Sequence, residues 1–297
     1  MLTRTFGNSD LCVCAIAMAC DARSSMRVVQ GALDRGVRLL WCQDADGESL
    51  TGRALRGRRG EQVRVATGFA CDAGPPTPRN LTLGTENSLR RLGVERIDLC
   101  LATNIRLAHI GEGLPAGFEG LGRDGKIGLW GVSLGPTIGW REEGIGAMLD
   151  HGARAVASVF DIFQQDPGRE FCQVAVATGA GVLARMGGRA DPRKAERLRP
   201  HAEAHCMSLD QLRLKWLLQQ PAVASIGMDF GTEDDVEQAL GAMQRRDLSR
   251  AVMEELSQLY ADDFGLGPDA HPPDLASSVA PGGKVRSSYV PPPILLA

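Results

Sequence analysis

Asp44 and Asp46 follow closely behind Trp41 in the stretch Trp41-Cys-Gln-Asp-Ala-Asp. A carboxylate partly desolvated beside an indole has a raised pKa, which suits a general acid or base near neutral pH. The same two aspartates also suit a plainer role, the capping of a helix that starts near Glu48. Trp41 either plugs an apolar hole or offers a substrate a flat platform. Thr103, Asn104 and Arg106 form a second group. A hydroxyl, an amide and a guanidinium can together orient a carbonyl or carboxylate, the last by a bidentate contact. Arg106 also reads as a solvated loop arginine. Ser133 and Asp161 add a hydroxyl and another carboxylate. His201 and His205, with Cys206 beside them, have the spacing of metal ligands on one helix face, but no Glu follows His201 as an H-E-x-x-H site needs. They are expected on the surface, and no metal is expected. His109, beside the glycine-rich stretch Gly111 to Gly125, which reads as a loop, is a weaker candidate.

The elements that must position these groups are legible as short apolar runs alternating with amphipathic segments. Leu11 to Ala19 is followed by a helical pattern over Arg27 to Arg35, Val37 to Cys42 by Glu48 to Arg56, and Val63 to Ala70 by Asn80 to Leu92. Ile97 to Ala102, Ile127 to Leu134, Ala155 to Phe160, Gly181 to Ala184 and Ala222 to Met228 continue the series. This periodicity predicts repeated βα units on a parallel sheet. One helix is predicted over Glu203 to Gln220, between Pro200 and Pro221, and another starts at Thr232, with Asp235 in capping-box spacing. Eight such units in this length fit a single-domain (β/α)8 TIM barrel of the α/β class over residues 1–264. Residues 265–297 read as an extended Pro-rich tail, since they hold many of the chain's 16 prolines.

In such a barrel the chemistry gathers just beyond the strand ends. That rim comprises Cys20, Asp21, Trp41, Cys42, Gln43, Asp44, Asp46, Cys71, Asp72, Thr103, Asn104, Arg106, Ser133, Asp161, Gln164, Arg185 and Asp229. Composition narrows the classes of function. The 297 residues carry a net charge of −3 and are 43% hydrophobic and 23% charged, which is ordinary for a globular chain and leaves no electrostatic footprint for nucleic acid. No apolar run approaches the roughly 20 residues of a membrane span, and the N-terminus lacks a signal-peptide pattern, so a cytoplasmic protein is expected. The eight cysteines contain no C-x-x-C pair and most lie in apolar runs, as reduced core residues do. The aromatic and basic residues are unevenly placed: both tyrosines, Tyr260 and Tyr289, come late, and no lysine precedes Lys126.

Several stretches resemble the aldo-keto reductase family, and together they span nearly all of the chain to about residue 260. Thr3-Arg-Thr-Phe-Gly-Asn-Ser-Asp-Leu resembles the family's opening hairpin, and Ala32-Leu-Asp-Arg-Gly-Val-Arg-Leu-Leu its first helix running into the next strand. Gly47 through Leu55 is similar to the segment after the family's D-T-A-x-x-Y-G motif. Arg91-Leu-Gly-Val-Glu-Arg-Ile-Asp-Leu, the run from Gly125 to Ser133, and Asp161-Ile-Phe-Gln-Gln-Asp-Pro match further signatures. The resemblance implies a (β/α)8 barrel and NADPH-dependent carbonyl reduction by an Asp, Tyr, Lys and His tetrad. Laid on this sequence, those four positions hold Trp41, Asp46, Gly68 and Thr103. None keeps the required group, and an ionised, shorter Asp46 is no substitute for a tyrosine proton donor. The cofactor positions also depart from the family: Leu134 stands for an Asn, Ala157 for a Gln and Ala239 for another Asn. Asp229, Glu233 and Asp234 lie where a basic residue would pair with the 2′-phosphate, so no cofactor is expected.

These readings imply a reductase barrel repurposed for cofactor-independent acid/base chemistry, such as dehydration, isomerisation or cyclisation, on a small organic molecule. Asp46 and Asp44 would move protons, Thr103 and Asn104 would hold an oxygen, and Trp41, Arg106, Asp161 and Ser133 would line the pocket. A non-catalytic ligand- or partner-binding barrel is the alternative, and NADPH-dependent reduction a third. The expected partner is a small molecule.

Overall fold

The computed structural model describes residues 2–58, 61–71, 76–111, 113–135, 140–187 and 191–266. The tail beyond residue 266 and Asp72 lie outside the described residues. Two short strands, β1 (Thr3–Thr5) and β2 (Cys12–Cys14), pair antiparallel with Arg4 opposite Val13. Eight further strands follow: β3 (Ile16–Cys20), β4 (Leu39–Cys42), β5 (Arg64–Ala70), β6 (Ile97–Thr103), β7 (Ile127–Ser133), β8 (Ala155–Val159), β9 (Gly181–Arg185) and β10 (Val223–Met228). They close into a parallel barrel in the order β10-β3-β4-β5-β6-β7-β8-β9, the expected (β/α)8 architecture. The run from Leu11 to Ala19 is therefore two strands rather than one, because the chain passes from the hairpin into the barrel at Ala15.

Period-2 alternation separates two apolar surfaces. Ile16, Met18, Cys20, Leu40 and Cys42 join the large cluster between strands and helices. Ala17, Leu39, Trp41, Ala66, Leu99, Leu101, Ala155, Ala157, Leu183 and Ala224 fill the lumen, together with Phe6 and Val13 from the hairpin. Layers of inward side chains make a barrel of this size a packed core. The hairpin is tied to the barrel through Arg4, whose guanidinium donates to the carbonyls of Val223, at 2.7 Å, and Leu218.

The helices surround this barrel: α1 (Met26–Asp34), α2 (Ala45–Ala54), α3 (Pro78–Leu92), α4 (Leu107–Ile110), α5 (Gly113–Arg123), α6 (Arg141–Leu149), α7 (Gly168–Thr178), α8 (Pro192–Ala204), α9 (Leu209–Leu218), α10 (Glu233–Gln244) and α11 (Arg250–Ala261). Two differ from expectation. The segment 203–220 is not one helix: Cys206 takes a left-handed φ of 53°, and Ser208 then starts α9 with a reciprocal capping box to Gln211. Pro200 lies inside α8 instead of bounding a helix. The glycine-rich stretch is also not a loop. Leu114, Phe118 and Leu121 are buried at helical spacing, and Phe118 stacks on Trp130 at 5.2 Å, so side-chain burial outweighs the glycines' weak helix propensity. The capping box of Thr232 and Asp235 forms as expected.

Among the described residues no helix is long and apolar enough to cross a membrane. All eight cysteines are free, and only Cys12 and Cys206 are exposed. Burial pushes the Cys20 and Cys172 thiols up to about 12, and raises Cys14, Cys42 and Cys100 as well. Two results are expected. A thiol reagent near neutral pH should label two cysteines rapidly and the other six only after denaturation; a third fast thiol contradicts this packing. The second concerns alkaline pH. A thiol whose pKa rises on folding contributes fully below the free value of 9.0 and loses that contribution as pH climbs through about 12. Thermal midpoints should therefore fall steadily above pH 9.0 and stay flat just below it.

Candidate functional site at the barrel mouth

The turn from β4 into α2 delivers the first group of residues. Trp41 is only 4% exposed and belongs to the lumen cluster. Its ring lies over Gly227 of β10, where a Cβ would come within 2.5 Å of the indole, so this close approach requires glycine. Asp44 is the N-cap of α2: one carboxylate oxygen accepts from the Gly47 amide at 2.7 Å and the other from the Ala22 amide at 3.2 Å. The helix thus begins at Ala45, ahead of the expected Glu48, and Asp46 falls in its first turn. Asp46 is exposed and makes no hydrogen bond or ion pair among the described residues. Glu48 is instead wholly buried, held by the Thr67 hydroxyl and the Arg91 guanidinium, each at 2.6 Å.

The charged group facing the indole is Arg185, at the end of β9, with its guanidinium carbon 5.9 Å from the ring centroid. Its Nη1 donates to Gln43 Oε1 at 3.0 Å, and its Nη2 forms an ion pair with Asp229 at 3.1 Å. A residue from β9 thereby bridges the ends of β4 and β10 above the lumen. The sequence places Arg185 and Gln43 on the rim without assigning them a role, and reads Asp229 only as a charge set against a phosphate; only ring closure makes them neighbours. Carboxylates gather on this arc. The charges of Asp21, Asp229 and Asp44 all act on the Cys20 thiol, adding to the effect of its burial. Burial pushes Asp21 up, but the side-chain and backbone hydrogen bonds from Arg23 outweigh it and hold this carboxyl below its usual range.

The other arc is neutral. Thr103 and Ser133 are direct partners in the β6–β7 register. Asn104, with a left-handed φ of 54°, donates its backbone N–H to the Ser133 carbonyl at 2.8 Å, while its Oδ1 is buried without a partner. The structure therefore brings Ser133 to Thr103 and Asn104. It does not bring Arg106, expected in the same group, to them: that guanidinium pairs with Glu143 at 3.2 Å and stacks 3.8 Å above the Trp140 ring. Nor is Asp161 open to a ligand. Its carboxylate accepts from the amides of Phe163 (2.7 Å), Gln164 (3.2 Å) and Gly187 (2.8 Å), and pairs with the buried Arg213 at 2.7 Å.

The histidines are equally committed. His205 is the C-cap of α8 and its Nδ1 contacts the His201 carbonyl at 2.8 Å. Among the described residues no group of three or more His, Cys, Asp or Glu is placed to hold a metal ion. His109 lies in α4 and is exposed.

A helix N-terminus at a strand end is a natural phosphate site, through its unpaired amides and positive dipole end. Around the start of α10 part of this set is already used. Asp235 Oδ2 accepts from the amides of Gly231 (3.0 Å) and Thr232 (2.8 Å), and the Thr232 hydroxyl accepts from the Asp235 amide. Glu233, in the same first turn, is shared between Arg27 and Arg35.

No family model matches the sequence, and no curated protein does. Solved structures do. The holo and apo forms of the aldo-keto reductase AKR11C1 from Bacillus halodurans superpose with TM-scores of 0.74 and 0.71, each at 20% identity over 87% of this chain and 96% of theirs. A thermostable aldo-keto reductase, Tm1743, in complex with the inhibitor epalrestat, gives 0.76 at 19% identity over 87% of this chain and 100% of its own. The chain has the aldo-keto reductase fold.

Proposed function

We propose that this barrel, built on the aldo-keto reductase fold, has left NADPH-dependent reduction behind and holds a small polar organic molecule at its mouth. The observation that carries this reading is Trp41. At the position that the family resemblance assigns to the tetrad aspartate, an indole fills the lumen over Gly227, with Arg185 above it. The residues present do not fit NADPH. The amides of Gly231 and Thr232, which lead into α10, are bonded to Asp235, and the acidic first turn of Glu233, Asp234 and Asp235 repels an anion. Gly68 and Thr103 supply neither a lysine nor a histidine.

Titration of the full-length protein with NADPH by calorimetry should give no saturable heat, and a panel of aldehydes and ketones should leave NADPH unoxidised. A dissociation constant in the low micromolar range, or steady NADPH consumption, overturns the reading.

Cofactor-independent acid/base catalysis is a second reading, and one observation favours it: the Asp46 carboxylate is exposed and unpartnered among the described residues. Asp44 and Asp161 are less suited, because their oxygens are engaged by backbone amides and, for Asp161, by Arg213. Once a converted compound is identified, unchanged turnover in Asp46→Asn removes Asp46 from the chemistry.

A further inference from the structure

We infer that Arg185 is the anchor for a small organic carboxylate, which enters the mouth by displacing Asp229. This deepens the ligand-binding reading above and rests on it. The Arg185 side chain is 12% exposed, so its charge is largely desolvated and needs a counter-charge. A counter-charge that it meets, Asp229, is 55% exposed, so its carboxylate can swing into water at little cost. Exchanging one carboxylate for another keeps the charge balance and the fork geometry of the guanidinium.

Two contacts fix the fork for such an exchange. Gln43 Oε1 holds Nη1 at 3.0 Å, and it is the Nη2 side, now on Asp229, that would meet the incoming anion. The Trp41 indole beneath supplies a flat apolar floor. Across the mouth, β6 and β7 present no charge. Thr103, Ser133 and Asn104 offer hydroxyls and an amide, with Asn104 Oδ1 buried and unspent, suited to a ligand hydroxyl or N–H group. The ligand class is therefore a small carboxylate that carries a hydrogen-bond donor away from its acid group, such as a hydroxy acid.

The test follows binding of lactate, 4-hydroxybutyrate and 4-hydroxybenzoate to the full-length protein by intrinsic tryptophan fluorescence and thermal shift, with lactamide as the uncharged counterpart of lactate. At least one carboxylate should saturate at millimolar concentrations or below, and lactamide should not. Arg185→Gln should weaken binding roughly ten- to hundredfold, as expected for loss of a charge-assisted hydrogen-bonded pair. Arg185→Lys, which keeps the charge and guards against a merely misfolded variant, should bind more weakly than the parent chain but better than Arg185→Gln. Asp229→Asn is the decisive variant. Removing the resident competitor should tighten binding several-fold, whereas a purely structural ion pair predicts no gain. The proposal is overturned by equal binding of lactate and lactamide, by unchanged or weaker binding in Asp229→Asn, or by the absence of any saturable carboxylate response. An NADPH titration on the same samples separates the two levels: cofactor binding overturns the functional reading itself, while a silent carboxylate panel overturns only the role of Arg185.

Discussion

Asp161→Ala is expected to destabilise the protein by about 3–5 kcal/mol, a large share of the roughly 5–15 kcal/mol that holds a typical domain together. The loss has two parts. Arg213 of α9 becomes a buried cation without its buried counter-charge, since its partners include Asp161 at 2.7 Å, the Gly187 carbonyl at 2.7 Å and the exposed Asp210 at 2.9 Å. The amides of Phe163, Gln164 and Gly187 also lose the acceptor that fixes the β8 and β9 connections. Replacing both charged partners with apolar side chains, as in the Asp161→Leu, Arg213→Met pair, should recover much of the cost of breaking the pair, because no unpaired charge then stays buried. Denaturant midpoints for the two single variants and the double variant check this. A loss below about 1 kcal/mol in Asp161→Ala would mean that this carboxylate is free to serve chemistry instead of holding the fold.

Gly68 gives the second large effect. A Cβ at this position of β5 would lie 2.2 Å from the Leu101 carbonyl oxygen and 3.0 Å from its carbon, both backbone atoms of the adjacent strand β6. No rotamer relieves such a clash; the two strands must separate. Gly68→Ala is therefore expected to cost about 3 kcal/mol, seen as a lowered thermal midpoint. The consequence for function is sharper. Placing Asp, Tyr, Lys and His at the four positions that the family resemblance aligns with its tetrad, by Trp41→Asp, Asp46→Tyr, Gly68→Lys and Thr103→His, should yield no NADPH-dependent reduction, because the lysine cannot be seated on this backbone and Asp235 holds the amides that lead into α10. Measurable aldehyde reduction by the quadruple variant would show that the strand pair adapts to a lysine at position 68.

The aspartates near Trp41 show how local and distant information divide. Asp44 has the sequence position of an N-cap and becomes one. The helix start it sets exposes Asp46 and sends Glu48 into the core, toward Thr67 and Arg91. In the stretch Gly111 to Gly125 the glycines suggest a loop, yet Leu114, Phe118 and Leu121 recur at helical spacing and decide the outcome by burial against Trp130. The helix expected over 203–220 breaks because Ser208 and Gln211 form a capping box, a signal present in the sequence but hidden inside a continuous apolar pattern.

The barrel, its eight βα units, the Thr232 cap and the absence of a tyrosine and a lysine where the resembled family has them are all readable from sequence, since each depends on residue type and on spacing within a few turns. The arrangement of the mouth is not. Arg185 meets Gln43 across 142 intervening steps of chain, and Arg213 meets Asp161 across 52. The first meeting exists because closing the ring sets β10 beside β3 and β9 beside β10, which brings Arg185 above Trp41 of β4; the second because α9 packs its Arg213 against the turn that follows β8. Hydrophobic periodicity selects the barrel, but only its closure decides which carboxylates are spent on structure and which cation stands where a ligand can reach it.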